Sequence, residues 1–208
     1  MHHIRFSLDV LSPYAYLAFE RLPQALQGLS VVVDYEPVLF AGLLQHWGQK
    51  GPAEIEPKRQ WTFRQVHWLA QRQGCVLDTP ARHPFNPLPL LRLLLAAGPN
   101  RRSTEAVLRH VWRGGLSADD PARLAALRDT LAPARDPDGA ELKQALRAAT
   151  EAAAARGVFG VPTFEWQGRQ FWGQDGLDML VDALHGGAWF DGPAWAREAQ
   201  PRPGLQRR

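Results

Sequence analysis

Strand-like sequence is confined to the two ends of this 208-residue chain, with a long run of purely helical pattern between them. At the N-terminus, residues 4–10 alternate, with Ile4, Phe6 and Leu8 on one face, and predict a buried strand. From Pro13 to about Leu26 an apolar face of Tyr14, Leu17, Ala18 and Leu22 predicts a helix. Pro13 costs no hydrogen bond in a first turn, whereas Pro23 is expected to bend or end the helix. Ser30 to Val38 alternates again, with Val31, Val33 and Tyr35 opposite Val32, Asp34 and Glu36. Strand, helix and strand in one sheet require a right-handed crossover.

From about residue 41 to 156 no strand pattern appears. Helical periods fall at 57–73, 87–97, 104–113, 119–131 and 139–156, separated by Gly-Pro at 51–52 and 98–99 and by Asp-Pro at 120–121 and 136–137. The alanine-rich last period keeps the spacing of a packed helix at Leu142, Ala145, Leu146, Ala149 and Ala153. Strand character returns over Phe159–Trp166, followed by a Gly168 turn, a short strand Gln170–Trp172 and an amphipathic helix from Asp175 to His185. A βαβ half and a ββα half therefore flank a helical block. This is the order of an α/β, thioredoxin-like fold with a large all-helical insertion. Residues 1–40 and 157–208 are expected to form the thioredoxin-like domain and 41–156 the inserted helical domain.

Composition narrows the function. The chain is 45% hydrophobic with eight Trp, enough for a sizeable core, and only the last ten residues lack a packing pattern. Its net charge is +3, but the basic residues are scattered, and the pairs Arg101-Arg102 and Arg207-Arg208 are short, so nucleic acid is not expected as a partner. The longest apolar run, Leu88–Ala97, is broken by Pro89 and Arg92 and falls short of the roughly 20 residues a bilayer needs. The N-terminus has no basic and apolar leader pattern. A single cysteine, Cys75, allows no internal disulfide and suits a reducing compartment, so a cytoplasmic location is expected. His46, His67 and His83 have no metal-like spacing, and neither a role nor a metal is assigned to them.

Three elements carry chemistry. The first is Ser12, at the corner where the first strand meets its helix. A thioredoxin-type fold puts its reactive thiolate there, on the positive end of the helix. Serine cannot exchange disulfides, but it can hydrogen-bond the thiolate of a bound thiol; it is equally an ordinary N-cap. The second is Val161-Pro162-Thr163, where proline interrupts a strand-like run. A cis Val161–Pro162 bond would turn the Val161 N–H and C=O toward the Ser12 corner, ready to pair with the cysteinyl backbone of glutathione. The third is Trp172-Gly173-Gln174-Asp175. Gly173 permits a tight turn, helix-start N–H groups can hold a carboxylate, and Asp175 can cap the helix or take an ammonium group. Trp61, Trp68 and Trp112 sit at helical positions that predict core or cavity wall. Cys75 predicts a buried small side chain. The aromatic segment Trp189–Trp195 must pack on the domain or on a partner.

The chain resembles the 2-hydroxychromene-2-carboxylate isomerase family, within the kappa-type glutathione transferases and DsbA-like proteins. The matching stretches are Ser12–Ala18, Gly51–Arg59, His83–Leu88, Gly157–Phe164 and Phe171–Asp175. The resemblance implies glutathione as cofactor, with Ser12 holding its sulfur and Val161, Pro162, Trp172, Gly173, Gln174 and Asp175 binding the tripeptide. It implies a small aromatic substrate over the corner, near Gln45, Glu54 and Asn86, and a homodimer. Two positions depart from the family. Gln45 stands where relatives often carry lysine, and Glu54 where they commonly carry asparagine, which leaves Lys58, Arg59 and Arg82 as the candidate contacts for an anionic substrate. Asn86 also reads as an ordinary turn residue. The reaction implied is ring opening and cis/trans isomerisation by reversible thiolate addition. The alternatives are a kappa-type transferase or thiol-dependent reductase with another electrophile, and a non-catalytic glutathione-binding protein.

Overall fold

Alternation in the first segment produces a strand whose two faces have different fates. In the computed structural model, which describes residues 1–200, 202 and 204, β1 (His2–Leu8) pairs in parallel with β2 (Val31–Pro37). It also pairs antiparallel with β3 (Thr163–Trp166), which continues into the hairpin strand β4 (Arg169–Trp172), giving the order β2-β1-β3-β4. On one face Ile4, Phe6 and Leu8 are fully buried, and Phe6 stacks on Phe164 with ring centroids 4.7 Å apart. The other face is polar and ion-paired. Ser7 Oγ donates to Glu36 at 2.7 Å, and the Arg156 guanidinium spans Glu36 and Glu165. That arginine also ties the end of the last inserted helix to the sheet.

Helix α1 (Pro13–Ala25) returns the chain from β1 to β2. Pro23 neither ends nor interrupts it. The proline lacks the N–H that would reach the Phe19 carbonyl, and Arg101 takes that carbonyl instead, at 2.8 Å, with its guanidinium over the Phe19 ring. Between β2 and β3 lie α2 (Phe40–Trp47), a 3-10 turn at Pro52–Glu54, α3 (Glu56–Gln73), α4 (Leu88–Ala96), α5 (Arg101–Trp112), α6 (Pro121–Leu131) and α7 (Ala140–Ala155). Five of these helices match the expected periods within a few residues; α2 has no counterpart among them. α3–α7 contribute side chains to the same hydrophobic core as the sheet and α1, including Val66, Leu91, Leu108, Leu127 and Leu146. A second, smaller cluster joins Val38, Leu43, Ala153, Ala154, Val158 and Val161.

Of the tryptophans expected in core or cavity wall, one lies in the core. Trp112 is fully buried, but Trp61 and Trp68 are exposed (63% and 56%). They lie one heptad apart on the side of α3 away from its buried Val66 and Ala70, and Arg72 covers the Trp68 ring. Cys75 is only half-buried. After α8 (Gly176–Leu184), the short helices α9 (Ala188–Asp191) and α10 (Pro193–Glu198) fold the aromatic tail onto the domain, where Phe190 and Trp195 pack against Phe171. The expectation for the last ten residues, and for Arg207 and Arg208, falls largely outside the described residues. Among the described residues no helix is long and apolar enough to cross a membrane.

Candidate functional site

The corner between β1 and α1 is built almost entirely from side-chain bonds to its backbone. Asp9, fully buried, accepts the Leu11 N–H with Oδ1 at 2.9 Å and the Phe40 N–H with Oδ2 at 2.7 Å, joining the corner to the start of α2. Trp112 Nε1–H donates to the Val10 carbonyl at 3.0 Å. His83 Nε2 lies 2.9 Å from the Leu11 carbonyl, and since a carbonyl only accepts, that nitrogen carries the proton. Residues 10 and 11 form a turn outside the ladder, so these ring donors satisfy carbonyls that would otherwise be orphaned.

Ser12 follows, 7% exposed and in extended backbone conformation as the N-cap of α1. Its Oγ accepts the Ala15 N–H and donates to the Val161 carbonyl, both at 3.2 Å. The N-cap reading of Ser12 therefore holds, and the same hydroxyl also faces the proline loop. The Val161–Pro162 bond is cis, as is His83–Pro84, for which the sequence carries no signal. The expected strand at 159–162 is instead a bend, and β3 starts only at Thr163, whose Oγ1 donates to the Gly160 carbonyl at 2.7 Å. In the first turn of α1, Pro13 has no N–H, Ala15 N–H is used by Ser12 Oγ, and Tyr16 N–H bonds the Ser12 carbonyl at 3.2 Å. The Tyr14 N–H is the donor these bonds leave over.

The end of β4 closes against the same loop. Gly173 N–H donates to the Pro162 carbonyl at 2.9 Å. Trp172 is exposed, lies against Phe159 with centroids 5.0 Å apart, and would leave 2.6 Å between its Nε1 and a Cβ placed on Gly160. Gly173 has φ +91°, and a Cβ there would collide with Oδ1 of Asp175. Asp175 makes no capping bond to α8, so the capping alternative is not realised and its exposed carboxylate is left for other use. The Asp175 charge adds to burial in pushing the Tyr14 phenol above its ordinary value, and the Tyr14 hydroxyl donates to Gln65 of α3 at 2.6 Å. Gln174 is buried beside these residues in sequence. Substituting Gly173 with alanine is expected to cost about 1–2 kcal/mol, because φ and the Asp175 clash both oppose a Cβ. Urea unfolding checks this, and unchanged stability would remove the geometric argument.

The substrate positions suggested by resemblance have the following settings. Gln45 lines a groove of about 490 Å³ between α2 and α7, with Leu39, His46, Leu88 and Lys143. Glu54 Oε1 accepts the Gly51 N–H, and Asn86 Oδ1 accepts the Leu88 N–H at 3.1 Å, so both oxygens serve local turns. Lys58, Arg59 and Arg82 are exposed, and Arg59 pairs with Glu56. Sequence reading missed Asp9, His83 and Trp112. Only Asp9, a carboxylate directly after a buried strand, carried a signal. Among the described residues no cluster of three His, Cys, Asp or Glu could hold a metal.

A serine-capped helix facing a cis-proline loop, on a four-stranded mixed sheet, defines a thioredoxin-like site without its thiols. The model of the DSBA-like thioredoxin domain matches residues 3–185, and the chain belongs to that family. It is 29% identical to a 2-hydroxychromene-2-carboxylate isomerase of Pseudomonas putida, over 87% of this chain and 93% of that protein. It is 28% identical to glutathione S-transferase kappa 1 of Rattus norvegicus, over 88% and 90% respectively. A solved structure of a 2-hydroxychromene-2-carboxylate isomerase superposes with a TM-score of 0.79 at 23% identity, covering 95% of this chain and all of that one.

Proposed function

We propose that this protein is a glutathione-dependent isomerase of a small conjugated aromatic acid, of the 2-hydroxychromene-2-carboxylate type. The observation that carries the reading is the Ser12–Val161 pair: one hydroxyl and one backbone carbonyl, 3.2 Å apart, at the positive end of α1. Glutathione supplies the thiolate that adds to an electrophilic carbon, lets a double bond rotate or a ring open, and leaves again unchanged.

The chain's own groups then have defined work. The Val161 carbonyl accepts the cysteinyl N–H of the tripeptide, which frees the single Ser12 proton to turn from Val161 toward the sulfur. With the Tyr14 N–H and the helix terminus, that hydroxyl favours the thiolate over the thiol. Trp172 and the backbone of Gly173 flank the peptide, Gln174 takes part in binding it, and the unused Asp175 carboxylate takes its γ-glutamyl ammonium. Cis-proline residue Pro162 holds the clamp through the Gly173 bond. A cytoplasmic setting, where glutathione is abundant and the single thiol stays reduced, and a homodimeric state belong to the same reading.

Kappa-type transfer to another electrophile is the second reading, favoured by the uncharged Gln45 and by the local use of Glu54 and Asn86. Incubation with a hydroxychromene carboxylate, with and without glutathione, separates the two. Isomerisation that requires glutathione but consumes none is the expected result. Net thiol loss with general electrophiles, and none of the isomerisation, would replace it with transfer.

A further inference from the structure

The two carbonyls ahead of Ser12 are both held by ring N–H donors from the segment between β2 and β3: Val10 by Trp112 and Leu11 by His83. The His83 ring is enclosed by Phe63, Phe85 and Trp112, at centroid distances of 5.1, 6.3 and 5.8 Å. Its Nδ1 is buried and has no hydrogen-bond partner among the described residues. An imidazole in that setting has one polar contact, the Leu11 carbonyl, and three aromatic walls that fix its plane.

We propose that His83 is a positioning residue of the Ser12 corner: its Nε2–H holds the Leu11 carbonyl, and through that peptide sets where the Ser12 hydroxyl stands. The ring does not touch the proposed sulfur site. It acts one residue upstream, on the peptide whose nitrogen belongs to Ser12, while the Ser12 N–H is held on the other side by the Asp9 carbonyl at 3.1 Å. A rigid donor locked by packing holds such a corner more tightly than a flexible chain would. Burial also pulls the His83 imidazole below its ordinary value, the Leu11 bond opposes this, and the Arg59 charge adds to it. The neutral donor tautomer is thus the resting form near neutral pH.

The functional part of this inference rests on glutathione binding at Ser12, and the test separates the two. The apparent thiol pKa of bound glutathione is followed by ultraviolet thiolate absorbance in wild type, His83→Phe and His83→Gln. Phenylalanine keeps the ring volume and removes the donor; glutamine places an amide N–H near the Nε2 position and cannot titrate. The expected result is a pKa raised by about one unit in His83→Phe, a tenfold loss of thiolate near neutral pH, and recovery of most of that loss in His83→Gln. A wild-type pKa in His83→Phe overturns the positioning role and leaves the glutathione reading standing. No thiolate signal even in wild type overturns both. Nitrogen NMR of the wild-type protein, which needs no variant to fold, should show His83 neutral at pH 7 with the proton on Nε2; a proton on Nδ1, or on both nitrogens, also overturns the proposal.

Discussion

Replacing Ser12 with alanine is expected to slow glutathione-dependent turnover at pH 7 by about ten- to a hundredfold, and to raise the pKa of the bound thiol by about one to two units. The hydroxyl donates from the corner to the proline loop, and its loss removes a charge-assisted hydrogen bond to sulfur. Affinity for glutathione should fall much less, since Val161, Trp172 and Asp175 remain. The same substitution removes the N-cap of α1, which costs about 1 kcal/mol of stability. Threonine restores both cap and donor and is the control that separates chemistry from stability. A pH–rate profile for Ser12→Ala that overlays wild type would take the hydroxyl out of the reaction.

The second large effect concerns Asp9 and is a matter of pH. Complete burial raises its carboxyl from the ordinary 3.8 to about 6, against the lowering effect of the N–H groups of Leu11, Phe40 and Val10. A group whose pKa is raised by folding binds its proton more tightly in the folded state. Its contribution to stability is therefore complete below pH 3.8 and is lost as pH rises through about 6. The loss amounts to about 3 kcal/mol between pH 4 and 7. An asparagine side chain cannot titrate, so Asp9→Asn should lack this slope, although its single acceptor oxygen leaves one of the two backbone N–H groups unpaired. Denaturant unfolding of both proteins across that range checks the difference; parallel pH dependences would mean that the carboxyl is not buried as described. An ionised carboxylate is tolerated here because only two acceptor oxygens on one side chain can hold Leu11 and Phe40 together.

Much of this architecture was legible in the sequence because it is written locally. The alternation of Ile4, Phe6 and Leu8, the periods of the inserted helices and the Gly168 turn depend on neighbours a few residues away. Helix α2 escapes notice because its eight residues begin with neither a capping side chain nor a proline; its Gly42 is where a Cβ would come 2.9 Å from Thr150 Cγ2. Phe159 to Pro162 reads as strand because its residues favour extended backbone, while in the fold the ladder begins only at Thr163. Pro23 misleads for the opposite reason, since the rescue of the Phe19 carbonyl comes from Arg101, far along the chain.

The site divides in the same way. Ser12, Val161, Pro162 and the Trp172–Asp175 turn announce themselves through serine before proline, proline within a strand pattern, and glycine before a helix. His83 and Trp112 do not, because their partners are carbonyls 72 and 102 residues distant. A histidine between arginine and proline and a tryptophan at the end of a helix look ordinary until the chain folds around the corner. Gln45, Glu54 and Asn86 came from resemblance alone; the Glu54 and Asn86 oxygens accept local backbone N–H groups, which resemblance did not foresee.

The central claim is that the Ser12 hydroxyl meets the sulfur of glutathione at the start of α1. A crystal structure of the wild-type protein grown with glutathione tests it most directly. The sulfur should lie within hydrogen-bonding distance of Ser12 Oγ, roughly 3.3 Å, with the cysteinyl N–H on the Val161 carbonyl and the γ-glutamyl ammonium near Asp175. A tripeptide bound elsewhere, such as in the groove between α2 and α7, or one whose sulfur points away from Ser12, would contradict the account.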